Sequence, residues 1–210
     1  FFKRWPEFET ESQGFKKILT NSNLKGGIFV NKVVLFLADG FEEVEALSVV
    51  DILRRGNVDV TTMSITDREV VVGKSNIKVF ADSTFNKDFA LKSDMVILPG
   101  GSVGTDNLKN NSDVVEVLKQ FIADDKKVSA ICAAPTVLGV NGLLKGFKAV
   151  CYPGLENMLE CKEVVDDVVV CDRNIITSKG PATACEFGFA ILRALKGVET
   201  EKAVRSGFLS

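Results

Sequence analysis

Histidine is absent from all 210 residues, and that absence removes more chemistry than any other feature of the composition. A Cys/His dyad, a Ser/His/Asp triad and a histidine-ligated metal all need an imidazole. Any chemistry here must run on thiol, carboxyl, hydroxyl or amine groups. Tyrosine and tryptophan are scarce as well, one of each against 15 Phe, so phenylalanine supplies the bulky core material. No apolar run approaches the roughly 18 residues that span a bilayer. A net charge of −2 gives no footprint for nucleic acid or an anionic membrane surface. The five cysteines, Cys132, Cys151, Cys161, Cys171 and Cys185, are odd in number and contain no C-x-x-C pair. Scattered thiols of this kind fit a reducing compartment, the cytoplasm, and leave structural zinc short of ligands. Neither a metal nor a cofactor is expected.

What remains is an ordinary globular composition, 46% hydrophobic and 26% charged, of a length that suits one domain. Residues 1–31 stand apart, with five Phe, one Trp and a Gly26-Gly27 break. Trp5, Phe8, Phe15, Ile18 and Leu19 fall near one helical face and Pro6 suits a helix start, so an N-terminal extension with a short amphipathic helix is expected. The first residue is not Met, and a processed leader would point to an organelle instead of the cytoplasm.

From Lys32 to the C-terminus, short β-branched runs alternate with helical patterns. Strands are expected at Lys32 to Ala38, Val58 to Ile65, Asp94 to Leu98, Val128 to Ile131 and Lys148 to Cys151. A hairpin is expected from Glu69 to Phe80 around Gly73-Lys74-Ser75-Asn76, and a second from Val164 to Thr177 turning at Asp172-Arg173. Helices are expected at Glu42 to Arg55, at Ser112 to Ala123 with Ser112 as N-cap, after Cys132, and at Ala182 to Leu195. Strand, helix, strand in repetition calls for a doubly wound parallel sheet sandwiched by helices, one α/β domain over residues 32–210.

Sites in such sheets gather beyond the carboxyl ends of the strands. Three loops lie there: Ala38 to Glu45, Pro99-Gly100-Gly101-Ser102, and Cys132-Ala133-Ala134-Pro135. Cys132 ends an apolar strand and is expected at the first turn of the next helix, where free N–H groups and the helix dipole favour a thiolate. The other four cysteines have no such context and read as structural thiols. Glu42 and Glu43 read as solvated acids of a first helical turn. Glu45, between Val44 and Ala46-Leu47, points inward. A contact between Glu45 and Cys132 would leave one proton to share, with the carboxyl pKa raised and the thiol pKa lowered.

The strings Ala38-Asp39-Gly40-Phe41-Glu42-Glu43-Val44-Glu45, Leu98-Pro99-Gly100-Gly101, Ala130-Ile131-Cys132-Ala133-Ala134-Pro135-Thr136 and Thr177-Ser178-Lys179-Gly180-Pro181-Ala182-Thr183 occur in that order over about 180 residues. Together they resemble the ThiJ/PfpI superfamily, in the branch of the parkinsonism-associated protein deglycase and its bacterial ThiJ-like relatives. The resemblance implies a flavodoxin-like sandwich and a homodimer. It implies that Cys132 is the nucleophilic, oxidisable cysteine, that Glu45 bonds it, and that the N–H groups of Gly101 and Ala133 form an oxyanion hole. It also implies a cofactor-free glyoxalase or deglycase acting on small aldehydes and their early adducts. The alternatives are a redox sensor or chaperone whose Cys132 oxidises to sulfinate, and a thiazole monophosphate biosynthesis protein. Where many members carry a His-Pro pair, this chain has Tyr152-Pro153. A phenol with an ordinary pKa of about 10 is a poor base at neutral pH, although it orients an oxygen. The same gap argues against protease and amidotransferase relatives that use Cys and His.

Overall fold

The computed structural model describes residues 31–210, so the helix expected within residues 1–31 lies outside the described residues. Ten strands and seven α-helices follow in chain order: β1 (Lys32–Leu37), α1 (Glu43–Arg55), β2 (Asp59–Ser64), β3 (Val70–Val72), β4 (Lys78–Phe80), α2 (Lys87–Leu91) and β5 (Met95–Leu98) come first. Then come α3 (Ser102–Asn110), α4 (Ser112–Ala123), β6 (Lys127–Ile131), α5 (Pro135–Val140), β7 (Lys148–Ala149), β8 (Glu163–Val164), β9 (Val169–Asp172), β10 (Ile175–Ser178), α6 (Ala184–Lys196) and α7 (Val198–Gly207).

The main sheet has the order β2-β1-β5-β6-β10-β9. Every neighbouring pair in it is parallel except β9 with β10, which close as an antiparallel hairpin on one edge. Its central strands are apolar on both faces because both are covered. Along β1, Val33, Leu35 and Leu37 point into one core with Ala46, Val49 and Ile52 of α1 and Phe187 and Ile191 of α6. Val34, Phe36 and Ala38 point into the other, with Val117 and Phe121 of α4 and Val137 and Leu138 of α5. This is the doubly wound α/β sandwich expected from the alternation of elements. The chain leaves β1 for β2 on one side and reaches β5 on the other, so the strand order reverses between β1 and β5. A crevice opens there, above the carboxyl ends.

Several local expectations need correction. The cap of α4 is Asn111, whose Oδ1 accepts the N–H groups of Asp113 and Val114, and Ser112 is the first helical residue. The strand expected at Lys148 to Cys151 shrinks to β7, which pairs in parallel with β8 in a separate small sheet. The expected strand from Val164 is therefore split between β8 and β9. The second hairpin turns at Arg173-Asn174, since Asp172 pairs with Ile175, and Arg173 takes the positive φ of 53° that a two-residue turn demands. Three helices, α2, α3 and α7, were hidden from periodicity. In α7 the buried residue is Glu201, held by Arg193 and Arg205, so an ion-pair network replaces the apolar stripe.

The loop after β7 is seated on α5 through Gly139. A methyl there would stand 2.1 Å from Met158 O and 2.6 Å from Leu159 Cα, backbone atoms that cannot swing aside. Gly139→Ala is expected to destabilise the protein by about 2 kcal/mol through overpacking, read as a lower urea midpoint at unchanged slope.

Candidate active site

Cys132 sits at the end of β6, three residues before α5 begins at Pro135, and its φ is +65°. It is therefore on a left-handed elbow and not in the first turn of a helix, which corrects the expected placement. A side chain in that region costs about 1–3 kcal/mol and persists only when its surroundings hold it. Here its N–H donates to Ser178 O at 2.9 Å, and its carbonyl accepts the Tyr152 N–H at 2.8 Å. Behind the elbow, Thr136 Oγ1 donates to Ala133 O at 2.7 Å. The elbow aims a nearly buried sulfur at the crevice, which Gly101 and Ala133 line beside it, and their N–H groups draw the thiol pKa down.

Glu45 reaches the same spot from the first turn of α1. It is 1% exposed, and its Oε2 accepts the Gly100 N–H at 2.8 Å. No regular hydrogen bond reaches its Oε1. Gly100 separates carboxyl and thiol so closely that a methyl on it would lie 2.6 Å from both Glu45 Oε2 and Cys132 Cβ. Gly101 carries φ +91°, with a would-be Cβ 2.2 Å from Gly40 O. Its neighbours and its conformation both exclude a side chain, and only glycine brings the backbone this close to the pocket that holds the sulfur.

The electrostatics follow from burial. Desolvation lifts the Glu45 carboxyl from its ordinary 4.5 to about 7, partly offset by the Gly100 N–H and the Cys132 thiol. Desolvation, together with the charge and hydrogen bonding of Glu45, pushes the Cys132 thiol up to about 12, against the pull of the Gly101 and Ala133 N–H groups. The expected rise of the carboxyl is present, whereas the expected lowering of the thiol is replaced by a rise. The reason is that the Glu45 charge and burial outweigh two N–H donors. The pair gives up a first proton near 7 and holds the second until about 12, so one proton is shared between.

A pocket of about 500 Å³ opens over the sulfur, lined by Glu42, Lys74, Ser102, Tyr152, Leu155 and Pro181 among others. Tyr152 is half exposed, and the space above Gly180 places its ring and Cys132 Sγ on the same rim, 3.4 and 4.0 Å from one point. All five residues proposed from the sequence, Cys132, Glu45, Gly101, Ala133 and Tyr152, thus converge here. Two participants were not foreseen, Gly100 and Lys74. Gly100 looked like a turn glycine, and Lys74 looked like the tip of a hairpin. That hairpin instead docks on the start of α1, where Lys74 Nζ pairs with Glu42 Oε2 at 3.1 Å and buried Glu43 accepts the Ser75 N–H at 2.8 Å. Glu43 is accordingly not the solvated acid expected.

The DJ-1/PfpI family pattern matches residues 31–194. The chain belongs to the DJ-1/PfpI family. Within that family, Protein dj-1beta of Drosophila melanogaster is 35% identical over 178 residues, covering 84% of this chain and 95% of that protein. Protein DJ-1 homolog B of Arabidopsis thaliana is 38% identical over 175 residues, 82% of this chain, which spans only 40% of the plant protein's length. Among solved DJ-1 structures, that of Drosophila melanogaster DJ-1beta gives a TM-score of 0.82 at 34% identity over 86% of this chain and 98% of that one. Oxidized Toxoplasma gondii DJ-1 gives 0.81 at 32%, over 86% and 98%. The flavodoxin-like sandwich expected from the motifs is the fold these DJ-1 chains share with this one. Among the described residues, no helix is long and apolar enough to cross a membrane.

The carboxyl of Glu45 yields a stability test. Its value in the fold exceeds its ordinary one, so its contribution is fully present below about 4.5 and is lost as pH rises through about 7. The shift from 4.5 to about 7 corresponds to about 3 kcal/mol. Glu45→Gln, which keeps an acceptor for Gly100, should match the wild type at pH 4.5 and exceed it by up to that amount at pH 8 in urea unfolding. Equal gaps at both pH values would contradict the assignment.

Proposed function

We propose that the protein is a cysteine-dependent, cofactor-free enzyme for small reactive aldehydes and their early adducts, of the glyoxalase or deglycase type. The observation that carries this reading is the Cys132 elbow, whose sulfur shares a pocket with the backbone of Gly101 and Ala133 and has a partly unpartnered buried carboxyl beside it. The Cys132 thiolate adds to the aldehyde carbon of a 2-oxoaldehyde, forming a C–S bond and an alkoxide one bond from the sulfur. The N–H groups of Gly101 and Ala133 follow the charge onto that oxygen. Glu45, which holds the pair's one proton while the sulfur is thiolate, gives it to the alkoxide, then takes the proton from the former aldehyde carbon and returns it to the neighbouring carbon through an enediol. The first carbon is thereby oxidised to a thioester as the second is reduced to an alcohol. Water cleaves the thioester, releasing a hydroxy acid and the thiol. Tyr152, on the rim, orients the second oxygen.

Purified protein with methylglyoxal is expected to form lactate without glutathione, and Cys132→Ser to abolish it. Activity should rise with pH through about 7, as the Glu45–Cys132 pair loses its first proton, with no descending limb before pH 9. Equal turnover by Cys132→Ser would refute the mechanism.

A second reading, a redox sensor, draws on the same donors and on a neighbour solved as oxidized DJ-1. Two peroxides in turn would each give one oxygen to the Cys132 sulfur and leave as water, ending at sulfinate. Intact mass should then show two oxygens on Cys132 before any gain at exposed Cys171. Oxidation of Cys171 first would count against it.

A further inference from the structure

Among the described residues that line the pocket over Cys132, Lys74 is the one cation. It sits at the tip of the β3–β4 hairpin, and that tip is clamped. The Lys74 N–H donates to Phe41 O at 2.8 Å, the Gly73 N–H to Ile77 O at 2.9 Å, and the Ser75 N–H to Glu43 Oε1 at 2.8 Å. A methyl on Gly73 would meet Glu43 Oε1 at 2.3 Å, so hairpin and helix start are in direct contact. Glu42 holds the ammonium at the mouth of the pocket, leaving two of its three N–H bonds free.

The other charged groups around the site are neutralised locally or turned away. Asp39, after β1, is bound by Arg68 and the Val72 N–H, and Lys179, after β10, pairs with Asp166. Glu43 faces the hairpin backbone, and α6 offers the site Ala184 and Phe187 from the apolar core. Among the described residues, Glu42 and the Glu45–Cys132 pair therefore face one cationic side chain, that of Lys74. The charges of Cys132 and Glu45, after the larger effect of Glu42, hold the Lys74 ammonium in its protonated form, and by reciprocity Lys74 favours their negative charge.

We propose that Lys74 is a positioning residue for the reacting thiol: its ammonium supplies the positive charge that favours the anionic form of the Glu45–Cys132 pair in a site without histidine. This rests on the reading of Cys132 as the reacting thiol and not on turnover of any aldehyde. One exposed charge on the rim of the same pocket, acting through water, shifts a titration by roughly half a unit.

The test is the rate of Cys132 alkylation by iodoacetamide, followed by mass from pH 5 to 9 at low salt, in the wild type, Lys74→Met and Lys74→Arg. Because Lys74 is well exposed, both variants should fold. In Lys74→Met the midpoint should rise by roughly half a unit, making alkylation at pH 6 about threefold slower while the rates near pH 9 agree. Lys74→Arg should follow the wild type, and 1 M NaCl should close the gap. A Lys74→Met profile that superimposes on the wild type, or a Lys74→Arg profile shifted as far, would overturn the proposal. Alkylation needs no aldehyde chemistry, so a failed lactate assay leaves this result readable, and the reverse also holds.

Discussion

One proton shared by two buried groups is the constraint around which this molecule is arranged. Glu45 and Cys132 press on Gly100 from two sides, in surroundings that disfavour charge on either. Two negative charges in such a place would repel strongly and find too few donors, and two neutral groups would be inert. A single shared proton leaves one negative charge, which the backbone can serve: the Gly100 N–H bonds the carboxyl, and the N–H groups of Gly101 and Ala133, beside the sulfur in the same pocket, favour charge there. Backbone donors are fixed by the fold, so the charge is met by dipoles already in place.

Holding those donors in place strains the chain. Cys132 at φ +65° is in a conformation that a free loop would leave, and Gly101 at φ +91° is in one that only glycine adopts without strain. They persist because each is locked to a neighbour: the Cys132 N–H to β10, its carbonyl to the loop after β7, and the loop after β5 to the start of α1 through Glu42 N–H and Gly100 O at 2.9 Å. The central strands, buried on both faces, make a rigid base for this. Stability held in two cores is spent at one crevice, as expected where backbone strain and function coincide.

The site also depends on a segment outside the main sheet. The β3–β4 hairpin has little core of its own, with Val71 its buried residue. It is held by polar contacts to the β1–α1 loop and the start of α1, Gly40 N–H to Val72 O at 2.7 Å and Ser75 N–H to Glu43 Oε1 at 2.8 Å among them. Through them it brings Lys74 to a pocket that has no other cationic side chain among the described residues that line it.

Much of this was legible in the chain itself. Apolar runs buried on both faces, alternating with amphipathic helices, determined the parallel sandwich, because burial periodicity is a local property. The absence of histidine and the strings around Glu45, Gly101 and Cys132 determined which groups were available for chemistry. Local reading missed α7, whose buried anchor is Glu201 bound by arginines, and it misjudged Glu43, which is buried because a hairpin thirty residues away docks on it. It also expected a lowered thiol pKa, since a nearby helix start can be read from sequence, whereas the balance of burial, carboxylate and donors cannot. That balance, the convergence of Tyr152 with Cys132, and the arrival of Lys74 depend on distances between residues far apart in the chain, and only the tertiary structure decided them.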